Sequence, residues 1–236
     1  NRWFTKYLHG VDNGVENDPK SWIVRENDPQ SKPTAYPDYP HPQAEMVSFY
    51  LTEGGNTQGN LVSEKTKKQG AETLIDNYNY TGSQLARSGD SENRLLYVTP
   101  KLVQDLHISG VPKVTIKMAS SKPAANLSVW LVSLPWNTNA KAKITDNIIT
   151  RGWADPQNHK SLTTSKPLKV GKFYKVSFDL MPDDQIIPAG QQIGLMIFSS
   201  DQEYTLHPKP GTKLTIDLDG TLLKLPIVGG IDSIQP

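Results

Sequence analysis

The sequence predicts an all-β domain, an antiparallel β-sandwich or jelly roll, and three observations carry that expectation. Apolar residues alternate with polar or outward-facing ones at period two: Val114, Ile116 and Met118 against Thr115 and Lys117, then Leu127, Val129 and Leu131 against Ser128 and Trp130. Such runs are short and are punctuated by 17 Gly and 18 Pro. No long helical period lies between them, which argues against a crossover α/β chain. With 236 residues, the chain can bury a substantial core as one all-β unit.

Taken in order, the first element is the exception. Arg2 to Gly10 reads RWFTKYLHG, with Trp3, Phe4, Tyr7 and Leu8 on one helix face and His9 and Gly10 as a stop. A helix this short is marginal alone in water, so its apolar face needs a partner. It is expected to be the last helix of a preceding domain, and Val11 to Lys20, rich in turn-forming pairs, the linker after it. The predicted division is therefore 1–20, tail helix and linker, and 21–236, sandwich. The start has neither an initiator methionine nor a signal-peptide pattern, as expected of a chain cut from a longer one.

The predicted strands are Trp22 to Arg25, Met46 to Leu51, Leu95 to Thr99, Lys113 to Ala119, Leu127 to Leu134, Lys172 to Leu180, Ile193 to Ser199, Glu203 to His207, Lys213 to Asp217 and Leu222 to Leu225. Asn27 to Gln43 holds five prolines, which exclude helix and central strand. It is expected to be a surface loop packed by Tyr36 and Tyr39 rather than a proline-rich ligand. Gly54 to Ser91 is polar and Gly-rich, so loops with a short strand or two are expected there.

Charge and composition exclude several classes. The formal net charge is +1, and the only basic cluster, Lys65, Lys67 and Lys68, reads as a solvated face, so no nucleic-acid partner is expected. The longest apolar stretches, Leu127 to Trp136 and Ile193 to Phe198, fall far short of the ~20 residues of a membrane helix, so no membrane span is expected. Absence of cysteine removes disulfides, thiolate metal sites and cysteine nucleophiles, and suits a reducing compartment.

No catalytic, cofactor-binding or metal residue is predicted. Nothing matches a G-x-S-x-G nucleophile elbow, since Gly82-Ser83-Gln84 and Gly89-Asp90-Ser91 lack the flanking glycine and the preceding strand. His9, His41, His107, His159 and His207 are widely separated, form no H-x-x-x-H pair and read as surface or capping residues. Gly54 to Gly59 lacks the context of a dinucleotide fingerprint. Asp183-Asp184 and Asp217-Leu218-Asp219 read as turn aspartates, because a calcium site needs more oxygens at close spacing. Asn79-Tyr80-Thr81 and Asn126-Leu127-Ser128 are chance glycosylation sequons. Gly152 and Gly194 are expected at bulges or close backbone approaches, and Gly190 at a positive-φ turn.

Separated motifs carry a resemblance. The run from Leu168 presents Val170-Gly171-Lys172, Asp179-Leu180, Ala189-Gly190, Ile193-Gly194-Leu195 and Ser199-Ser200-Asp201. Upstream stand Ile108-Ser109-Gly110-Val111-Pro112-Lys113-Val114, Ile149-Thr150-Arg151-Gly152-Trp153 and His159-Lys160-Ser161. Their order and spacing resemble the C-terminal non-catalytic domain of Xaa-Pro dipeptidyl-peptidases and of the related cocaine-esterase-like acyl hydrolases. Arg151 to Leu162, the LPIVGG from Leu225 to Gly230, and Arg2 to Asn17 are most similar to the lactic-acid-bacterial peptidase type. The resemblance covers nearly the whole chain and is weakest over Gly54 to Ser91.

That resemblance implies a galactose-binding-like jelly roll packed on an upstream α/β-hydrolase domain. It further implies a serine peptidase parent that releases Xaa-Pro dipeptides from proline-containing peptides in the cytoplasm, with a homodimer of the parent allowed. The family's serine, aspartate and histidine triad lies in the hydrolase domain, so none of its members carries over to this chain. Two alternatives stand beside it: a carbohydrate- or ligand-binding jelly roll, with Trp130, Trp136 and Trp153 as candidate platforms, and a parent that is an esterase.

Overall fold

The computed structural model describes residues 1–26, 32–66, 68–137, 139, 141 and 146–234. Its first helix, α1 (Arg2–His9), ends at Gly10, whose φ of 67° closes the helix in the left-handed region. A two-stranded ribbon follows, β1 (Ser21–Ile23) against β2 (Thr34–Tyr36). The remaining strands are β3 (Ala44–Thr52), β4 (Gly59–Val62), β5 (Ala71–Ile75), β6 (Arg94–Val98), β7 (Leu106–Gly110), β8 (Lys113–Ser120), β9 (Leu127–Leu134), β10 (Ile148–Ala154), β11 (Tyr174–Asp179), β12 (Asp183–Ile187), β13 (Gln192–Phe198) and β14 (Lys213–Val228). A second helix, α2 (Gly82–Arg87), lies between β5 and β6.

Hydrogen bonding runs β10-β9-β13-β6-β4-β3-β14-β7-β12, with β5 and β8 also on β14 and β11 on β8. Pairing is antiparallel except between β4 and β6 and at the Glu26–Gln185 bridge. The sheet curls on itself because β14 serves two sets of partners. Its first half pairs with β5 and β8, and its second with β3, the start of β8 and, at Ile227, with Ile108 of β7. Between Asp217 and Leu222 the register shifts. There the Asp217 carboxylate accepts from the Gly220 N–H at 2.7 Å and pairs with Lys117 at 2.8 Å, fixing a bulge that bends the strand.

The main core lies inside this fold and includes Phe49, Leu95, Ile116, Leu131, Leu195 and Leu225. A second cluster covers the outer face of β6, β9 and β13, where Leu96, Trp130, Val132, Met196 and Phe198 meet Leu85 and Ala86 of α2. These three strands are therefore apolar on both faces, as strands buried on both sides must be. Thr81 caps α2 through a capping box with Gln84. A Cβ on Gly82 would collide with the Trp130 ring, so only glycine lets α2 approach this closely.

Several expectations change. Glu203 to His207 is not a strand: the Tyr204 and Thr205 N–H groups and the Thr205 hydroxyl all bond the Asp201 carbonyl, closing a turn. Lys213 to Asp217 and Leu222 to Leu225 are halves of one strand, β14. Asp183 and Asp184 lie in β12 rather than in a turn, and both are buried. Strands β4 and β5 are the short strands expected within Gly54 to Ser91, whereas β2, inside the stretch expected to be a loop, and β7, β10, β12 and helix α2 add to the predicted elements. Part of the proline-rich stretch, 27–31, and Lys67 lie outside the described residues; of the rest, Tyr36 is buried and Tyr39 half-buried, as expected. Gly190 has φ 83°, and a Cβ on Gly152 or Gly194 would press on Leu180 or Val132, so all three glycines do what was expected of them.

Candidate docking surface and the clusters that support it

The N-terminal segment is built as a small self-supporting unit. Arg2 grips both carboxylate oxygens of Asp18 at 2.9 and 2.7 Å, Lys6 pairs with Asp12 at 2.6 Å and Glu16 at 3.1 Å, and the Asn13 amide bonds the Arg2 carbonyl at 2.8 Å. These contacts fold the linker back along the charged side of α1. The other side presents Trp3, Phe4, Tyr7 and Leu8, each more than half exposed, and no residue of the helix is buried. The Trp3 and Tyr7 rings stack at 4.5 Å and Phe4 meets Trp3 edge-on at 5.7 Å. One continuous aromatic face thus points outward, a signature of an interaction site rather than of scattered surface apolar residues.

Two of the resemblance-bearing motifs occupy one place. Asp201, at the end of β13 and fully buried, accepts the indole N–H of Trp130 at 2.9 Å and that of Trp153 at 3.0 Å on the same oxygen. Arg151, opposite Trp130 in the β9–β10 register, lies between the rings of Trp130 (5.4 Å) and Tyr204 (4.6 Å). Ser199 and Ser200 are spent on the same joint: Ser199 Oγ donates to the Asn126 carbonyl, and Ser200 N–H donates to Asp76. The Asn126 amide bonds Ser200 Oγ and the Leu206 carbonyl. The motifs Arg151-Gly152-Trp153 and Ser199-Ser200-Asp201 therefore lock β9, β10 and β13 together.

Arg94 is a second anchor. It is fully buried, and its guanidinium donates to the carbonyls of Gly55, Asn56, Thr57, Leu85, Ser88 and Gly89 at 2.7 to 3.3 Å. Burial holds its pKa below the usual arginine value, but six carbonyl dipoles keep it charged.

A third cluster joins the N-terminal ribbon and following loop to β7 and β12. Asp184 Oδ1 takes the Tyr36 hydroxyl at 3.1 Å and His107 Nε2 at 3.0 Å, and the His41 and His107 rings lie 5.6 Å apart. Burial pushes the Tyr36 hydroxyl up to about 12, helped by Asp184. Burial also raises Asp184, but the hydrogen bonds from His107, Ser109 and Tyr36 and the charge of His107 together outweigh it, and the carboxyl lies below its ordinary value. On the preceding residue the bond from the Asp184 N–H is not enough: burial, with the charges of Glu26 and Asp184 added, pushes Asp183 up to about 7. His41 is lowered by burial and by His107. His41 and His107 are thus members of a polar cluster and not surface residues, a grouping made by the β7–β12 register across 77 residues of chain.

Among the described residues no histidine ring is bonded to a serine, and no group of three or more His, Asp or Glu side chains is placed to hold a metal. The tryptophans form no open platform: Trp130 is fully buried, Trp153 is fixed by Asp201, and Trp136 packs on the outer apolar cluster. No described helix is long and apolar enough to cross a membrane.

The fold is an antiparallel jelly roll whose motif residues brace strands and whose first helix presents an outward aromatic face. The chain belongs to the family described as the X-Pro dipeptidyl-peptidase C-terminal non-catalytic domain, matched over residues 13–228. A Rhodopirellula baltica protein whose name assigns it to the Xaa-Pro dipeptidyl-peptidases is 59% identical over 98% of the chain. The Xaa-Pro dipeptidyl-peptidase of Lacticaseibacillus rhamnosus is 27% identical over 96%. The chain spans 37% of the first relative's length and 32% of the second's. Among solved structures, an aminopeptidase from a Thaumarchaeota archaeon superposes with a TM-score of 0.70 at 15% identity, over 96% of this chain and 43% of that one. An α-amino acid ester hydrolase gives 0.69 at 15% identity, over 95% and 43%. At that identity the two share the fold with this chain.

Proposed function

We infer that the Trp3, Phe4, Tyr7 and Leu8 face of α1 packs into a preceding α/β-hydrolase domain, which carries the serine triad of a cytoplasmic Xaa-Pro dipeptidyl-peptidase, and so fixes the sandwich on it. Residues 1–20 are then the end of that hydrolase domain and its linker, 21–236 the accessory sandwich, and the parent's substrates are peptides with proline in second place. The observation that carries this reading is the helix itself. Its charged side is satisfied by its own linker, which leaves an aromatic face that none of the described residues buries. Burying the exposed part of these four side chains removes on the order of 400 Å² of apolar surface, roughly 10 kcal/mol gross at ~25 cal/mol per Å² before ordering costs. The sandwich supplies no triad. Its role is to hold that face, and the loops beside it, in one orientation and to exclude water from the parent's entrance.

The test is hydrolysis of an Xaa-Pro chromogenic amide by this chain, by a separately produced hydrolase portion of the relative, and by the two mixed. Activity that rises on mixing, and fails to rise with Trp3→Ala/Tyr7→Ala, is expected. Turnover by this chain alone, retained through repurification, would sink the assignment.

A further inference from the structure

The inward face of β12 carries an unbalanced set of oxygens. Side chains alternate along a strand, so Asp183 and Gln185 share the side on which Ile187 joins the core, while Asp184 faces Tyr36 and His107 on the other. Glu26 pairs with Gln185 in a parallel bridge, its N–H donating to the Asp184 carbonyl at 3.1 Å. Bridge partners on adjacent strands project to the same side about 5 Å apart, so the exposed Glu26 stands at the Gln185 position, one strand repeat from Asp183, whose carboxyl feels its charge. The register thus gathers two carboxylates and an amide from positions 26, 183 and 185.

Two of these oxygens lack donors, although the other Asp183 oxygen takes the Asp184 backbone N–H. Asp183 and Gln185 are 6% and 2% exposed, and Asp183 Oδ2 and Gln185 Oε1 accept no hydrogen bond. None of the ion pairs among the described residues involves Glu26 or Asp183. The nearest imidazole, His107, is committed to Asp184 on the opposite face. An uncompensated buried carboxylate beside a second carboxylate and an unpaired amide oxygen is costly, and positive charge placed among them removes the cost. Gln185 also lines an open cleft of about 540 Å³ with Trp136, Asn147, Ile186 and Pro188.

We propose that Glu26, Asp183 and Gln185 form a binding site for a hard divalent cation of the calcium class, which staples the N-terminal ribbon to the β12 edge. Oxygen-only donors, part carboxylate and part amide, suit Ca²⁺ rather than a metal that prefers nitrogen or sulfur. Three side-chain ligands leave the remaining positions to water and backbone oxygen, which places the affinity in the weak range, about 10⁻⁴ to 10⁻³ M.

The experiment is calorimetric titration of the chelator-treated chain with CaCl₂ at pH 8, where proton competition is small, with MgCl₂ in parallel. One Ca²⁺ per chain is expected, with half-saturation between about 0.1 and 1 mM, weaker Mg²⁺ binding, and a thermal midpoint about 4 to 8 °C higher in 10 mM Ca²⁺. Glu26→Gln is the decisive variant, because an exposed side chain can be changed without disturbing the fold. It should weaken Ca²⁺ at least tenfold, and Gln185→Met should do likewise. Absence of a saturable Ca²⁺ response up to 10 mM, or unchanged affinity in Glu26→Gln, overturns the site. So does a chain stabilised by acidification or by Asp183→Asn but indifferent to Ca²⁺, for which a proton is the charge that Asp183 holds.

Discussion

Replacing Asp201 tests whether the family motifs are structural. The Asp201 carboxylate accepts two indole N–H groups on one oxygen, at 2.9 and 3.0 Å, and one of those indoles, Trp130, is fully buried. A hydrogen bond to a charged group is worth about 1.5 to 3 kcal/mol net, and a buried donor left unpaired adds its own desolvation cost. Asp201→Ala removes both bonds and strands the Trp130 N–H in an apolar cluster, so a loss of about 3 to 5 kcal/mol is expected. For a chain of this length each kcal/mol moves the midpoint by about 2 to 4 °C, which gives a drop of roughly 6 to 20 °C. Asp201→Asn keeps an acceptor oxygen for the indoles and loses the charge, so about 1 to 2 kcal/mol is expected. Urea unfolding followed by tryptophan emission reads both, because the two indoles are themselves the reporters; a shifted midpoint at unchanged slope identifies a pure stability change. An Asp201→Ala variant within about 1 kcal/mol of the parent chain, or an Asp201→Asn variant as damaged as Asp201→Ala, would refute the bracing role.

Other substitutions separate the remaining parts. Arg94→Met leaves six carbonyls without their donor and should cost about 3 to 5 kcal/mol, with new protease cleavage in 54–58 and 85–91 as the local sign. Trp3→Ala/Tyr7→Ala touches only exposed rings and should move the isolated chain's unfolding midpoint by less than about 0.5 kcal/mol; a larger loss means the face is already in use within this chain. Gly152→Ala drives a Cβ into Leu180 and should cost about 1 to 3 kcal/mol by overpacking. Gly190→Ala meets open space and should cost about 1 kcal/mol through its φ of 83° alone, so thermal melts of the two distinguish crowding from backbone strain.

Strands buried on one or both faces and rich in β-branched residues, β8, β9 and β13, were legible because burial and sequence pattern coincide there. The strand β12 was not, since Asp183, Asp184 and Gln185 are polar on both faces and buried on both. Two adjacent aspartates after Met-Pro have turn chemistry, and only the partners brought by β7 and residue 26 make a strand of them. The opposite error at Glu203 to His207 has the same origin: alternating Tyr204 and Thr205 imitate a strand, but the Asp201 carbonyl captures three donors and closes the chain. Helix α2 carried a readable signal, the Thr81 and Gln84 capping box, inside a stretch too polar to suggest a helix by periodicity. The absence of a nucleophile elbow was visible from local spacing, whereas the pairing of His107 with Asp184 depends on register and has no local trace.

The division of labour within the chain follows from where polar side chains are spent. Arg94, Asp201, Asp217 and Asp184 each take two or more partners from different elements, and such groups stabilise only while every partner stays in place. A domain braced in this way is rigid at its joints and has little freedom to assemble a reactive site from its own residues. Rigidity is what an accessory domain needs, because a docking face transmits position to its partner only if the body behind it does not deform. The helix α1 fits that scheme from the other direction. Its salt bridges to Asp12, Glu16 and Asp18 fix the outward set of Trp3, Phe4, Tyr7 and Leu8 before any partner arrives, so the ordering cost of docking is largely met within the linker. A flexible tail of the same composition would bind the same surface more weakly and leave the sandwich free to turn.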